Sequence, residues 1–411
     1  MQQAPDWLTP AARRGFLRIV LASAAVGFAL GAQQNIVANY FAQVLNLEGP
    51  QFGYITAIRE IPGFLLIFLT ALFYRLDLPR LTAGALVLLA IGYALFGVSD
   101  SFWSVAPWVI ISSIGYHTFF QNQHALGMTL TTEKRAGTIL GQLTSWYNIG
   151  TLIAMSLVFL VFQFNLLDFR AMFVICGVVA FVGAVAIYRF PNMIDGKPMA
   201  RPQKREPIVL RREYGYYYAL NLLDGGRQQI FFSFGLYVLV AHYKMTVPQI
   251  SAVLIATTIL NIFVGSWIGR QVDKRGEKPI LMLANVGYVV ALAGYALIDN
   301  IYVAVLCYVI YTVIFPLSGI GASTYLRKVA VQSEIAPSLA MGVTLQHVAA
   351  IVVPLATGYV LNFVGYQVPF LIACVFACFT FVVTRRLAPE RQRSPRRVAE
   401  DAQVVQVGAI P

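Results

Sequence analysis

The sequence predicts an all-α integral membrane protein with twelve transmembrane helices in two pseudo-symmetric six-helix bundles. Three observations carry that expectation. The 411 residues are 58% apolar and 12% charged, against roughly 25% charged residues in a soluble globular chain. The apolar residues gather into stretches near the ~20 that a helix needs to cross a bilayer. Of thirty Lys and Arg, 26 lie in connections, tails or span ends that would share one side of a membrane, and only Arg59 and Arg227 fall well inside a span. Finally, the two halves of the chain repeat one another.

The spans run over 17–43, 52–74, 80–98, 102–128, 137–162, 170–188, 215–241, 249–271, 279–298, 301–325, 338–362 and 366–384. Arg13, Arg14 and Arg18 lie before or at the start of the first, which continues past Asn39 and is too long for the apolar part of a signal peptide. Alternate connections are basic: Arg75 and Arg80, Lys134 and Arg135, seven residues between Arg189 and Arg212, then Arg270, Lys274, Arg275 and Lys278, and then Arg327 and Lys328. Six more lie between Arg385 and Arg397, while the opposite connections hold only Arg170 and Lys244. An even number of spans with this bias places both termini in the cytoplasm and the chain in the cytoplasmic (inner or plasma) membrane. A net charge of +12 confined to loops and tails argues against a nucleic-acid partner. Cys176, Cys307, Cys374 and Cys378 all fall in apolar spans and read as small core residues.

The repeat sets the domain organisation. Gly92-Tyr93-Ala94-Leu95 recurs as Gly294-Tyr295-Ala296-Leu297, and Pro50-Gln51 as Pro248-Gln249. Glu133 and Gly141 recur as Glu334 and Gly342, and Gly31, Gln33 and Gln34 as Gly226, Gln228 and Gln229. Offsets of 195 to 202 residues describe a duplicated six-helix unit with the same orientation in both copies. The expected domains are 1–190 and 214–384, joined by a polar cytoplasmic linker over 191–213 and followed by a disordered cytoplasmic tail over 385–411.

Two connections carry a resemblance. Gly269-Arg270-Gln271-Val272-Asp273-Lys274-Arg275-Gly276-Glu277-Lys278 resembles the loop motif G-x-x-x-D-[RK]-x-G-[RK]-[RK] of the major facilitator superfamily, at the place where that family repeats its loop 2–3 motif. Glu133-Lys134-Arg135-Ala136-Gly137-Thr138-Ile139-Leu140-Gly141 resembles the family's loop 4–5 pattern E-R-x-R-G-x-x-x-G. The resemblance covers the chain from Phe16 to Thr384. It implies the family fold, alternating access around a mid-membrane solute site, and a gating role for Gly269, Asp273, Lys274, Arg275, Glu133 and Arg135; the other reading of these charges is a loop at the lipid surface. The first copy, Leu72-Phe73-Tyr74-Arg75-Leu76-Asp77-Leu78-Pro79-Arg80, lacks the motif's glycines and displaces its acid. The drug:proton antiporters of the family carry G-P-x-x-G-G in helix 5 and an arginine in helix 4; residues 137–162 hold no proline and 102–128 no arginine.

A charge near the bilayer centre costs about 2.5–3.5 kcal/mol on insertion scales, so it tends to be paired and functional. Asp224 and Arg227 share a helix face with Gln228. Either Arg227 binds an anionic or polar solute group while Asp224 carries a proton, or the two form a salt bridge that only neutralises both. Gly225-Gly226 beside them permit a kink or a close approach. Arg59 and Glu60 are about 100° apart on a helix, so at least one is expected to need a partner on another helix; Pro62-Gly63 suggest a break in that span. An arginine in helix 2 resembles the family's nitrate porters, but span 8 offers Thr257 and Thr258 and no arginine before Arg270. His117, Gln121 and His124 line one stripe of span 4, and His117 is a second candidate for proton coupling beside a plain packing role. Dense amides supply both donors and acceptors; Gln33, Gln34, Gln121 and Gln228 are the chosen solute ligands, with Arg227 and Arg59.

The expected function is a secondary active transporter of a small polar or anionic solute, proton-coupled, working as a monomer by alternating access. Asp224 is expected to carry the proton, with Glu60 or His117 as substitutes. A sensor or scaffold without turnover and a drug or metabolite efflux pump are the alternatives. No nucleotide loop, metal-ligand spacing or other enzyme signature is present in the sequence, so no cofactor and no catalytic residue are expected.

Overall fold

Over the described residues every expected span is helical in the computed structural model, which describes residues 8–72, 76–131, 135–191, 193–194, 197–198 and 209–400. The first six helices are α1 (Pro10–Asn39), α2 (Gly49–Leu72), α3 (Leu78–Phe96), α4 (Phe102–Met128), α5 (Ala136–Gln163) and α6 (Phe169–Tyr188). A single π-helical turn, Tyr40–Val44, prolongs α1. The linker contains a two-residue antiparallel ladder between β1 (Met193–Ile194) and β2 (Lys197–Pro198). Then come α7 (Gly215–Ala241), α8 (Val247–Arg275), α9 (Glu277–Leu297), α10 (Ile301–Ile314), α11 (Pro316–Val329), α12 (Gln332–Val364) and α13 (Gln367–Arg385). The tenth expected span is thus two helices, α10 and α11, joined at Phe315.

Helix starts follow from side chains that satisfy the free N–H groups of the first turn. Asp77 caps α3, Ser101 and Ser104 form a reciprocal box on α4, Asp168 caps α6, and Asn300 caps α10. The displaced acid of the first loop copy is therefore Asp77, whose Oδ1 accepts from the Arg80 backbone N–H at 3.0 Å. The expected break in α2 is absent. The helix runs on through Pro62, and Ser113 Oγ of α4 donates to the neighbouring Arg59 carbonyl, the kind of inter-helix support that lets proline sit within a membrane helix. Likewise α7 is unbroken across Gly225-Gly226.

Among the described residues, nine helices, counting α10 with α11, are long and apolar enough to cross a membrane. Helices α2, α4 and α7 are not among them, and these carry the Arg59–Glu60 pair, the His117 stripe and the Asp224–Arg227 pair.

The chain divides into two compact units: residues 1–205 with 240–255, and 206–239 with 256–411. This differs from the expected boundary, because the end of α7 and the first turns of α8 belong with the first unit. Hydrogen bonds explain the assignment: Ser251 Oγ donates to Asn35 Oδ1 at 2.9 Å, and Asn39 Nδ2 to the Met245 carbonyl at 2.9 Å.

In the first unit α1 and α5 cross at backbone contact. A Cβ on Gly27 would overlap the Tyr147 carbonyl, and one on Gly150 the Ala24 carbonyl. Small residues at membrane-helix crossings allow this approach, and Thr151 Oγ1 donates to the Gly27 carbonyl at 3.0 Å. In the second unit a buried cluster joins Tyr214, Tyr217, Tyr325, Leu326 and Val329 to Leu387.

Leu387 belongs to the segment expected to be a disordered tail, and that expectation fails for residues 385–400. Ser394 N–H donates to the Val329 carbonyl at 2.9 Å, Tyr325 OH to Gln392 Oε1 at 2.9 Å, and Lys278 Nζ to the Leu387 carbonyl at 2.9 Å. The run of arginines reads as solvated charge, but one buried leucine, one buried serine and several partnered polar groups suffice to fold the segment onto α9, α11 and α12. Residues 401–411 lie outside the described residues.

The α1–α5 crossing yields a test. Gly27→Val should lower the melting temperature of the detergent-purified protein by several degrees, since overpacking costs about 1–3 kcal/mol. Gly84→Val, where a Cβ meets nothing within 4 Å, should leave the melt unchanged. Fluorescence-detected thermal unfolding of both variants measures the difference.

Candidate functional site

In the second unit the two charged residues of α7 lie in the helix interior, one turn apart. Arg227 Nη2 is 2.9 Å from Asp224 Oδ1, so the side chains meet as their spacing requires. The N–H is not aligned on that oxygen, which makes the contact an ion pair rather than a hydrogen bond. Arg227 is 0% exposed and Asp224 5%. A charged guanidinium enclosed this completely needs compensation on all sides. Its Cζ lies 3.4 Å from the Tyr288 ring centroid of α9 and 5.6 Å from that of Tyr311 in α10, both within cation–π range. Nη2 also donates to Ser318 Oγ of α11 at 3.2 Å. Nε and Nη1 have no hydrogen-bond acceptor among the described residues.

Tyr288, Tyr311 and Ser318 therefore complete a site of which the sequence shows only Asp224 and Arg227. An arginine inside a span signals that an aromatic face and a hydroxyl must be near, but not on which helix. Tyr311 is held in turn by stacking on Phe231, with centroids 3.7 Å apart. Gln228, expected on the same face as the pair, is half-buried. Earlier on α7, Asn221 Oδ1 accepts from Gln346 Nε2 of α12 at 3.0 Å.

In the first unit Arg59 and Glu60 pair with each other across the 100° that separates them on the helix. Arg59 Nε and Nη2 donate to Glu60 Oε1 at 3.1 and 3.0 Å. The arginine stem is long enough to bend around the helix, so the offset at Cα does not fix the distance between tips. Half of the Arg59 side chain is exposed, against 11% of Glu60. His117 is half-buried and packs edge-on against Tyr116, with centroids 4.7 Å apart. Gln34, Gln121 and His124 are exposed, whereas Gln33 is buried at 9% exposure. The exposed polar groups of this unit are thus Gln34, Arg59 and Gln121 among the residues singled out as solute ligands.

Of the expected gating residues, Glu133 lies outside the described residues, and so do the side-chain positions of Gly269 and Asp273. Lys274 and Arg275 end α8 and are exposed, and Arg135 flanks α5 and is exposed. Gly276 separates α8 from α9 in a single residue, with φ at +79°. That left-handed backbone is strained for any residue with a Cβ, so the motif's glycine is what permits so abrupt a reversal. Glu277 next to it is buried and pairs with Lys328 Nζ at 2.7 Å.

The repeat partner of Glu133 is Glu334, and around it the second unit gathers a polar knot. Glu334 Oε1 accepts from Arg211 Nη2 at 2.8 Å and from Arg396 Nη1 at 3.1 Å, and Oε2 from Tyr214 OH at 2.8 Å. One carboxylate thus holds the end of the linker and the tail together. The Arg211 hydrogen bonds keep the Glu334 carboxyl below its ordinary range, against the opposing effect of partial burial.

The sequence matches the family model of the Major Facilitator Superfamily over residues 19–344 and again over 222–409. No curated protein matches it. Among solved structures it is similar to the nucleoside transporter NupG, with a TM-score of 0.74 at 17% identity, covering 91% of this chain and 100% of that one. It is also similar to a bacterial homolog of the human lysosomal transporter Spinster in an inward-facing conformation, with a TM-score of 0.72 at 14% identity, covering 94% and 99%. A D-xylose–proton symporter superposes with a TM-score of 0.71 at 14% identity, covering 93% and 100%.

The Glu334 knot predicts a pH-dependent stability term. A carboxyl with a lowered folded pKa contributes stability above its unfolded value, about 4.3, and loses that contribution as pH falls through the folded value. Glu334→Gln should therefore melt about one to three degrees below wild type at pH 7, as for partly exposed pairs. The gap should close as pH is lowered from 5 toward 3. Parallel melts across that range measure it.

Proposed function

The chain belongs to the major facilitator superfamily, a family of membrane transporters rather than enzymes, and on that premise we propose that it carries a small polar or anionic solute by proton-coupled alternating access. It is an integral multi-pass membrane protein and a transporter. The finer reading rests on one observation: the Asp224–Arg227 ion pair, enclosed within α7.

Two apolar residues would fill that volume at lower cost, since a buried pair seldom repays its desolvation. Retaining the pair is understandable if its balance changes during the cycle. Protonation of Asp224 leaves the Arg227 charge uncompensated, and an anion arriving with the proton restores neutrality. Proton and anion are then linked through one guanidinium. Arg227 has no exposed surface in the conformation described, so the solute gains access to it only after α7 or its neighbours rearrange. Gln34 and Gln121, both exposed, and half-buried Gln228 supply hydrogen bonds that suit a polar solute. Gln33 supports them from a buried position. Arg59 offers a second positive contact, with Glu60 and His117 as substitute proton sites. Lys274, Arg275 and Arg135, with Gly269, Asp273 and Glu133, gate the cytoplasmic side. The same fold serves a nucleoside transporter and a D-xylose–proton symporter, so it accommodates polar solutes and proton coupling. The location is the cytoplasmic membrane, with both termini on the basic, cytoplasmic side, and the working form is a monomer.

A thermal-shift screen of organic anions, sugars and amino acids identifies the solute class, because a ligand at 100 times its Kd adds about 2.7 kcal/mol. An anion that stabilises wild type but not Arg227→Ala identifies the arginine as its contact. With that solute in proteoliposomes, Asp224→Asn should abolish accumulation driven by a pH gradient and spare counterflow exchange. Equal loss of both activities would remove Asp224 from the coupling step. Binding without any flux would identify a sensor instead.

A further inference from the structure

The tenth span is interrupted where Pro316 follows Phe315. Proline has no N–H, so the carbonyl four residues earlier receives no helical donor. Ser318 N–H bonds the Phe315 carbonyl at 3.3 Å, three residues back, rather than that of Ile314. The bond to Ile314 comes from another helix: Tyr288 OH of α9 lies 3.0 Å from the Ile314 carbonyl and 3.3 Å from that of Phe315. The same hydroxyl accepts from Ser318 Oγ at 3.2 Å, and that oxygen accepts from Arg227 Nη2 at 3.2 Å. A single chain of hydrogen bonds thus runs from the guanidinium, through two hydroxyls, to the carbonyls at the interruption. Each hydroxyl donates onward the bond for which it has just accepted, an arrangement in which successive bonds polarise and strengthen one another. The Tyr288 ring lies under the same guanidinium at 3.4 Å, so one residue touches both the ion pair and the break.

We propose that Tyr288 is a positioning residue that ties the Asp224–Arg227 pair to the interruption at Phe315–Pro316, so that the state of the pair sets how firmly the tenth span is held closed there. Arg227 cannot leave Ser318 without removing the donor at the head of the chain. The Ile314 and Phe315 carbonyls then lose polarised support in a part of the molecule where an unpaired carbonyl is costly. A local change at the pair becomes a change in the stiffness of α10–α11. The proposal rests on the reading of Asp224 as a proton site only for what alters the pair during transport. The relay itself rests on the distances.

Hydrogen–deuterium exchange of the full-length protein in detergent tests it without any solute. Tyr288→Phe keeps the ring and removes the hydroxyl, and Ser318→Ala cuts the chain one step earlier. Both should speed exchange of amides over 312–320 by roughly three- to tenfold, the effect of one lost hydrogen bond on local opening. Amides over 277–285 should not change. Asp224→Asn should loosen 312–320 in the wild-type background and add nothing further in the Tyr288→Phe background, as expected when two residues act through one path. Unchanged exchange at 312–320 in both hydroxyl variants overturns the proposal, as do additive effects in the double variant. If the relay responds as expected while Asp224→Asn retains proton-driven uptake, the proton-site reading fails and the relay stands. If Asp224→Asn uncouples transport while exchange is unmoved, the relay fails and the proton-site reading stands.

Discussion

The hydrocarbon interior offers no water to a polar group, and the rest of the structure follows from that. Backbone groups must bond within their own segment, which leaves helices. Charges must be excluded or compensated, and Arg59 and Arg227, well inside their spans, each lie beside an acid. Where a helix is interrupted, a side chain from a neighbour must take up the freed carbonyl, as Tyr288 does at Ile314. The caps at Asp77, Ser101, Asp168 and Asn300 meet the same demand at helix ends, where the chain returns to water.

The two charged pairs satisfy the constraint differently. Arg59 and Glu60 are adjacent in sequence and meet by bending a long side chain around the helix, which leaves half of the arginine exposed. Asp224 and Arg227 are stacked along one face and enclosed by three further helices. An exposed pair can exchange partners by rotating side chains. An enclosed pair can change only if the helices around it shift, which makes it the better candidate for an element that senses and transmits a global rearrangement.

Most of the fold was legible because its causes are one-dimensional. Apolar length and alternate basic connections place all twelve spans and their order. Local chemistry also reads well: the one-turn spacing of Asp224 and Arg227 does bring them together. What failed was three-dimensional. Nothing in the pattern of α9 marks Tyr288 as the ring beneath Arg227, because the choice depends on how helices distant in sequence are rotated against one another. Pro62 and Pro316 look alike as breakers, yet only the second interrupts its span. The tail was misread for a related reason: its arginines dominate its composition, while Leu387 and Ser394, which decide its position, are two residues among many.

The folded tail also orders events in time. Residues 387–400 are synthesised after every helix they pack against, so α9, α11 and α12 are complete in sequence before Leu387, Gln392 and Ser394 exist to meet them. Through that interval Glu334 has Arg211 and Tyr214 but not Arg396. The Lys278 ammonium and the Val329 carbonyl likewise wait for partners on the tail. Completion of this face therefore follows completion of the spans, and it is driven by polar contacts rather than by lipid. A nascent chain halted before residue 387 would hold a complete set of spans and an unfinished surface at this end of the second unit.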